Sequence, residues 1–411
     1  MSAMPRCNEK RLEEKITAFS RFGATGQGGI TRLALSEADV AARNEFCARC
    51  RKLGLSITMD DMGNIYATLQ GSGDGPAIYS GSHIDSVKQG GNYDGVLGVL
   101  AALEAAESIV ERGIPLRHSY TIVIWTNEEG ARFPPAIMSS GVITGRFQRE
   151  EAIRTTDSEG VTFEQALAAS GYLGEAANRL DPDDCLALVE LHIEQGPVLE
   201  AEKTDIGVVA GVVGMLNHTF RLVGQAGHAG TTPMKYRRDA LFAACKVIEL
   251  LHEQLDRLDG ELVYTTGQMK VEPNIHTIIP AMAAFSLDAR HRNPEVIAQV
   301  KEVIAALPKT LVGCELSVSS NWERDTTVFD PRLTAVIRGA CERLAYSHKE
   351  MYSGPGHDAQ YMATAVPTAM IFVPSEGGHS HTEIEHTSLA ACAKGVDVLL
   401  NTILTLDQQG L

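Results

Sequence analysis

Histidine and carboxylate side chains recur in this sequence where apolar, strand-like stretches come to an end. The residues with this chemistry are His83, Asp85, Asp94, Glu128, Glu129, Glu190, His192 and Glu194. Imidazole nitrogens and carboxylate oxygens bind zinc and similar divalent cations, and a carboxylate or an imidazole can also transfer a proton. The pattern therefore points to a metal site, to acid–base chemistry, or to both.

The local spacing indicates which of these side chains could bind a cation and which could support a ligand or transfer a proton. His83 and Asp85 lie two positions apart, so they face the same way if the strand continues. A metal-bound imidazole usually donates its second N–H to a carboxylate, and Asp85 is the expected acceptor for His83. Glu128 and Glu129 are adjacent and point in different directions, so one can bind a cation while the other handles a proton. Glycines flank Asp94 closely enough for its backbone to approach a neighbouring ligand.

Each fragment also has an ordinary structural interpretation. A histidine at a strand end is commonly a hydrogen-bonded residue, an aspartate before a helix is commonly an N-cap, and a Glu-Glu pair is commonly a solvated loop. None of the spacings is as specific as a metal-binding HExxH motif. The repetition of the same chemistry at successive strand ends favours a site, and spacing alone leaves both interpretations open.

The elements around these residues predict an α/β domain. Strand-like runs at Ala77–Ser80, Tyr120–Trp125 and Leu186–Leu191 alternate with helical stretches such as Val96–Glu111. This alternation favours a layered domain with a largely parallel sheet. The polar residues then lie at the carboxyl ends of the strands, where open α/β sheets place their ligands.

A second pattern interrupts the first near residue 212. The sequence predicts the order β-α-β-β-α-β, that of a split βαβ sandwich, in the segments Leu216–Gly224, Asp239–Arg257, Leu262–Val271, Ala283–His291, Pro294–Leu307 and Glu315–Asn321. The α/β pattern then resumes with Leu333–Ala345, Thr368–Val373 and Leu389–Thr405. We therefore predict one α/β domain, residues 1–211 and 328–411, with a smaller α+β domain inserted at 212–327.

Composition excludes several other classes. The 411 residues suit two or three domains, and 36 Lys plus Arg against 52 Asp plus Glu give a net charge of −16. That charge disfavours binding to nucleic acid or to an anionic membrane surface. Eight scattered cysteines and a charged start without an apolar segment indicate a cytoplasmic protein. Cys47 and Cys50 are expected to be ordinary helix residues, and no P-loop or G-x-S-x-G motif occurs.

The ordered motifs of the chain resemble one known group of enzymes. They are Gly28–Arg32, Gly81–Asp85, Gly90–Gly95, Asn127–Phe133, Glu190–Gly196, His228–Met234, Asp288–Arg290 and Ser353–Ala359. Together they resemble the N-carbamoyl-L-amino acid hydrolase and allantoate amidohydrolase group, the hydantoinase/carbamoylase branch of the M20 metallopeptidase-like family. This resemblance implies a phosphorylase/hydrolase-like catalytic domain with an inserted ferredoxin-like domain that serves as lid and dimerisation domain.

The resemblance also implies a dinuclear metal centre. Asp94 would bridge two divalent ions, one also held by His83 and His192 and the other by Glu129 and His381. His381 matches the family's Gly-x-Ser-His pattern, and the neighbouring His379 is its possible competitor. Zinc is the expected metal, and manganese, cobalt or nickel would suit the same nitrogen and oxygen ligands.

Further roles follow from the same resemblance. Glu128 would be the general base, and His228 would reach the active site of the other subunit of a homodimer and polarise the substrate carbonyl. Arg290 would bind a substrate carboxylate. Gln195 and the Gly356 backbone would line the substrate pocket.

Three positions depart from the family pattern. Thr277 stands where an asparagine is usual, His276 precedes it, and Pro355 replaces a small residue. All three concern substrate recognition, and Thr277 retains one hydroxyl for that purpose. The expected activity is hydrolysis of an N-carbamoyl-L-amino acid to the amino acid, ammonia and carbon dioxide. The alternatives are an allantoate or ureidoglycolate amidohydrolase, a β-ureidopropionase, and an N-acyl-amino acid hydrolase.

Overall fold

The structure is a computed structural model that describes residues 4–411. The first three residues, with which the charged start and the predicted catalytic domain begin, lie outside the described residues. The strands, numbered along the chain, are β1 (Ser56–Met59), β2 (Ile65–Leu69), β3 (Ala77–His83), β4 (Tyr120–Trp125), β5 (Cys185–Ile193), β6 (Ile206–Val212), β7 (Gly214–Val223), β8 (Gly227–His228), β9 (Val263–Thr265), β10 (Met269–Glu272), β11 (Ile278–Ile279), β12 (Met282–His291), β13 (Thr310–Leu311), β14 (Cys314–Arg324), β15 (Thr327–Val328), β16 (His348–Ser353) and β17 (Thr368–Val373).

The helices are α1 (Glu9–Phe19), α2 (Glu37–Leu53), α3 (Val96–Glu111), α4 (Met138–Ile143), α5 (Arg149–Ala152), α6 (Phe163–Ser170), α7 (Val198–Ala201), α8 (Ala240–Leu255), α9 (Pro294–Ala305), α10 (Pro331–Leu344), α11 (Asp358–Met362) and α12 (Leu389–Gln409). The chain divides into two compact units. Unit 1 comprises Met1–Gly211 and Val328–Leu411, and unit 2 comprises Val212–Thr327.

Unit 1 is built on a mixed sheet with a parallel centre. Strands β4, β3, β5 and β17 lie side by side in that order and run parallel. Strands β2 and β6 pair antiparallel at the two sides of this centre. The predicted α/β class is confirmed, but the prediction of a largely parallel sheet holds only for the four central strands. Strand β1 alternates between exposed and half-buried residues, as expected of an antiparallel strand, whereas β6 is as apolar and buried as the central strands although it pairs antiparallel.

The connection order of the central strands creates a crevice. The chain leaves β3 through α3 and returns as β4 on one side, whereas β5 pairs with the opposite side of β3. Such a reversal is the topological switch point at which open α/β sheets bind ligands. His83 is the last residue of β3 and His192 is the penultimate residue of β5, so two adjacent strands bring both histidines to this point.

Two long helices cover the sheet of unit 1. Helix α3 has thirteen buried residues and packs against β3 and β5, while α12 packs against α3, α10 and β17. By length and composition α12 could cross a membrane, with a mean hydropathy of 1.5 over eighteen residues. However, 67% of that window is buried inside the protein, as expected of a core helix.

Unit 2 is an antiparallel sheet with two helices on it. Its strands lie in the order β10-β12-β7-β14-β13, and α8 and α9 pack against β7 and β12. The stacked rings of Phe220 and Phe285, with centroids 4.8 Å apart, lie in its hydrophobic core. The single strand predicted at Leu262–Val271 is wrong, since two short strands, β9 and β10, occupy this segment on either side of Gly267 and both pair with β12.

Candidate metal centre

The two central histidines present the same nitrogen to the same carboxylate. His83 Nε2 lies 3.5 Å from Asp94 Oδ1, and His192 Nε2 lies 3.2 Å from that oxygen. Their Nδ1 atoms are 2.9 Å from the main-chain carbonyls of Asp85 and Ile193. An Nδ1–H that donates to a carbonyl leaves the Nε2 lone pair to face a cation. In His192 this nitrogen also accepts the Gly95 N–H at 3.1 Å. His83, Asp94 and His192, all buried, thus form one group of candidate ligands.

A second group meets the other oxygen of Asp94. His381 Nε2 is 3.2 Å from Asp94 Oδ2 and 3.5 Å from Glu129 Oε2. Ligand atoms of Asp94, Glu129 and His381 all lie within 4.8 Å of one another. Asp94 therefore belongs to both three-residue groups and turns one carboxylate oxygen toward the other two members of each.

Gly95 makes the first group possible. It precedes α3 with a φ of 66°, a left-handed conformation that glycine adopts without strain. A Cβ at this position would lie 2.3 Å from the His83 imidazole. The glycine therefore lets the backbone next to Asp94 pass directly under the histidine ring.

The cluster has a strong affinity for positive charge, because its carboxylates are buried close to one another. Burial and the charge of Asp94 raise the pKa of Glu129 to about 8, and the hydrogen bond to Asp94 raises the pKa of His381 to about 9. Burial would raise the pKa of Asp94, but hydrogen bonds from His192, His381 and His83 hold it well below its usual value. A cluster that attracts protons in this way would also attract a divalent cation.

The residues present fit two divalent cations. Glu129 Oε1 is buried and has no hydrogen-bond partner, which is costly for a carboxylate oxygen unless it meets a positive charge. Each group offers imidazole nitrogen and carboxylate oxygen, a mixture that suits zinc, manganese, cobalt or nickel. His379, the possible competitor of His381, is exposed and belongs to none of the candidate groups.

Glu128 lies beside the first group. Its Oε2 is 3.6 Å from His83 Nε2, and its side chain is buried. Burial, joined by the charges of Glu129, Asp358 and Asp94, raises the pKa of Glu128 well above its usual value. The Glu128 carboxyl group therefore lies at the edge of the cluster and has a raised affinity for a proton.

Asp85 supports the site in a different way from the one predicted. We expected its carboxylate to accept a hydrogen bond from His83, but Oδ1 is 3.9 Å from Nδ1 and the main-chain carbonyl of Asp85 is the acceptor instead. The carboxylate accepts the main-chain N–H groups of Glu128 and Glu129, each at 3.3 Å. Because His83 and Asp85 are only two positions apart, the main-chain carbonyl of Asp85, rather than its carboxylate, reaches the His83 ring.

Gln195 contacts the cluster itself. Its Nε2 donates to Asp94 Oδ2 at 2.8 Å and to Ser380 Oγ at 3.1 Å. Gln195, Asn127 and His381 all have positive φ angles, between 55° and 61°. Non-glycine residues adopt this conformation at a cost, and such residues cluster at functional sites. Gly356 lies in the turn before α11, half-buried.

The structure also gives contacts to residues for which the sequence predicts no specific role. Glu190 accepts hydrogen bonds from Ser82 Oγ at 2.6 Å and Ala359 N at 3.3 Å, and His357 Nε2 pairs with Ser353 Oγ at 2.9 Å. These two side chains form a further cluster with His192. Ser380 and Glu385, in the loop that carries His381, reach Asp94 as well. Glu190, His357 and Ser380 lie within the motifs of the resemblance, but their spacing does not reveal these contacts, and Glu385 lies in none of the motifs.

The remaining predicted residues belong to unit 2. His228 is exposed in β8, opposite Ile278 of β11, and its Nδ1 accepts the Gly230 N–H at 3.0 Å. The carbonyl of Thr277 accepts the Ala229 N–H at 2.9 Å, which holds Thr277 next to the His228 strand. Arg290 lies on β12, where its Nε donates to Asp288 Oδ1 at 2.8 Å.

Comparison with known proteins agrees with this chemistry. Residues 80–405 match the peptidase family M20/M25/M40. The chain is 37% identical to the N-carbamoyl-L-amino-acid amidohydrolase of Rhizobium meliloti over 405 residues, which cover 97% of this chain and 96% of that protein. It is 36% identical to the allantoate amidohydrolase of Escherichia coli (strain K12) over 397 residues, 94% of this chain and 95% of that one.

A solved structure shows the same fold over nearly the whole chain. An amidase of the hydantoinase/carbamoylase family from Burkholderia multivorans superposes with a TM-score of 0.91 at 37% sequence identity. The match covers 99% of this chain and 100% of the other. The resemblance predicted from the ordered motifs is confirmed.

Proposed function

The chain belongs to the peptidase family M20/M25/M40 and is a hydrolase of C–N amide bonds, and from this premise we propose that it hydrolyses an N-carbamoyl-L-amino acid. The products are the free amino acid, ammonia and carbon dioxide. The observation that carries the proposal is the placement of Asp94 between two groups of candidate ligands, with Glu128 beside one of them.

Two divalent ions, zinc or else manganese, cobalt or nickel, complete the proposed site. His83 and His192 would hold one ion, Glu129 and His381 would hold the other, and Asp94 would bind both. Such ions make a water molecule acidic and polarise a carbonyl, which is the chemistry that amide hydrolysis needs.

The chain's own residues supply proton transfer and orientation. Glu128 takes the proton from the attacking water and returns it to the leaving nitrogen when the C–N bond breaks. Arg290 pairs with the substrate carboxylate through its planar guanidinium, and Thr277 offers a hydroxyl where relatives use an amide. Gln195 and the Gly356 backbone contact the rest of the substrate.

We further propose that the working enzyme is a cytoplasmic homodimer in which His228 of one subunit hydrogen-bonds the substrate carbonyl in the other. Unit 2 is then the lid and dimerisation domain. The eight cysteines are free thiols, which fits a reducing compartment. Mixing Glu128→Gln and His228→Ala subunits tests the arrangement across subunits. Half of the resulting dimers would contain one subunit of each kind. In each of these mixed dimers one of the two sites would be intact, so about a quarter of the wild-type activity should return.

A substrate screen tests the reaction. Ammonia release from manganese-supplemented protein is measured with N-carbamoyl-L-α-amino acids, N-carbamoyl-D-amino acids, N-carbamoyl-β-alanine, allantoate and ureidoglycolate, and N-acetyl amino acids are assayed by release of the free amino acid. We expect the highest kcat/KM for an N-carbamoyl-L-α-amino acid, and Glu128→Gln serves as the inactive control. Absence of hydrolysis with every substrate would refute the proposal.

Allantoate is the second candidate substrate. The 36% identity to the allantoate amidohydrolase of Escherichia coli is nearly equal to the 37% identity to the N-carbamoyl-L-amino-acid amidohydrolase. Allantoate also carries a carboxylate that Arg290 could pair with. A kcat/KM for allantoate above that of every N-carbamoyl amino acid would select this alternative.

A further inference from the structure

We propose that Glu385 is a positioning residue that holds Asp94 and the His381 loop in the arrangement required for metal binding. The His381 loop is defined here as residues 374–388, between β17 and α12. The inference rests on the proposed function, because it assigns a task to Glu385 within the same metal centre.

One buried carboxylate joins two distant parts of the chain. Glu385 is 3% exposed, and its Oε1 accepts the main-chain N–H groups of Tyr93 and Asp94, both at 3.0 Å. Its Oε2 accepts the hydroxyl of Ser380 at 3.1 Å. The first two donors precede α3, where the helix dipole favours a negative charge. Glu385 therefore fixes the backbone of Asp94 relative to the loop that carries His381.

The hydroxyl of Ser380 has two possible acceptors. Its Oγ lies 3.1 Å from Glu385 Oε2 and 3.2 Å from Asp94 Oδ2, while Gln195 Nε2 donates to the same Oγ. A hydroxyl has one proton, so it can donate to only one of the two carboxylates at a time. Gln195 Nε2 already donates to Asp94 Oδ2 at 2.8 Å, so when Glu385 accepts the Ser380 proton, the other lone pair of Oδ2 remains available for a cation.

A glycine makes room for this carboxylate. A Cβ on Gly91 would lie 2.0 Å from Glu385 Oε1, so a larger residue would displace it. The same loop has a second anchor, because Glu383 hydrogen-bonds the Thr25 hydroxyl. That bond holds the loop without touching the Asp94 segment. Glu383 is therefore a matched control for an effect that is specific to Glu385.

The substitution Glu385→Gln tests the inference with little change of shape. The amide keeps one oxygen for the N–H groups of Tyr93 and Asp94 but turns an N–H toward Ser380, whose hydroxyl must then donate to Asp94. We expect the affinity of one of the two ions to fall about 10–100-fold, the usual loss when a residue supporting a metal ligand is replaced. Glu383→Gln should bind both ions as the wild type does.

The measurement uses metal-free protein titrated with cobalt(II). Calorimetry gives the affinity and number of ions, and the cobalt absorption bands report the ligand geometry. In Glu385→Gln, turnover should recover when cobalt is raised by the same 10–100-fold, which a folding defect would not allow. Ser380→Ala, which removes the competing hydroxyl, should restore part of the affinity when combined with Glu385→Gln.

The outcomes separate this inference from the proposed function. Wild-type protein that binds no cobalt refutes the metal centre and everything built on it. Wild-type protein that binds two ions, together with unchanged affinities and spectra in Glu385→Gln, overturns the role of Glu385 alone. An equal loss in Glu383→Gln also overturns it, because general anchoring of the loop would then explain the effect.

Discussion

Replacement of Glu128 by glutamine separates proton transfer from metal binding. The amide has the shape of the carboxylate but cannot accept a proton from water. A positioned general base contributes about 10²–10⁴ to the rate, or roughly 2.7–5.4 kcal/mol of transition-state stabilisation at about 1.36 kcal/mol per tenfold. We therefore expect kcat to fall by this factor in Glu128→Gln. Glu128 belongs to neither group of candidate ligands, so both ions should remain bound.

The assay measures ammonia release at saturating substrate and metal content after dialysis. Glu194→Gln is the matched control, since Glu194 is also buried beyond the end of β5 but accepts the N–H groups of Val198 and Leu199, both at 2.9 Å. This control should lose some stability and keep its kcat. If Glu128→Gln retains both ions and turns over within about tenfold of wild type, Glu128 is not the base.

Three further perturbations test the site and its support. Gly95→Ala should lose metal and most activity, because the new Cβ would meet the His83 ring. The control Gly113→Ala has a φ of 59° and open space around it, so it should cost only about 1–2 kcal/mol of stability. Metal analysis and urea unfolding compare the two variants. Chelation should abolish turnover and lower the melting temperature, and each ion restored at about 100 times its Kd should return about 2.7 kcal/mol, or about 5.4 kcal/mol for the two. Lys15→Ala should lower the free energy of unfolding by about 3 kcal/mol and leave kcat unchanged, because Lys15 is fully buried with its Nζ 2.6 Å from Glu104 Oε2. Urea unfolding measures the loss of stability.

The sequence determined which side chains come to the site. Apolar runs predicted the central strands, and His83 ends β3 while Glu128 and Glu129 follow shortly after the end of β4. The length of an apolar run and the turn signals around it are local properties, so they place strand ends without knowledge of the fold. The order of the motifs then indicated the family, which the comparisons confirmed.

The tertiary structure decided which atoms meet. The alternation of a strand gives the face on which a side chain lies, but it did not reveal that His83 would bond the carbonyl of Asp85 and not its carboxylate. It also left the direction of the flanking strands open, because pairing depends on segments far apart in the chain. Glu385 reaches the Asp94 backbone across 291 residues. Such a contact leaves no local pattern, since the geometry of a hydrogen bond is fixed only when the sheet and its loops have come together.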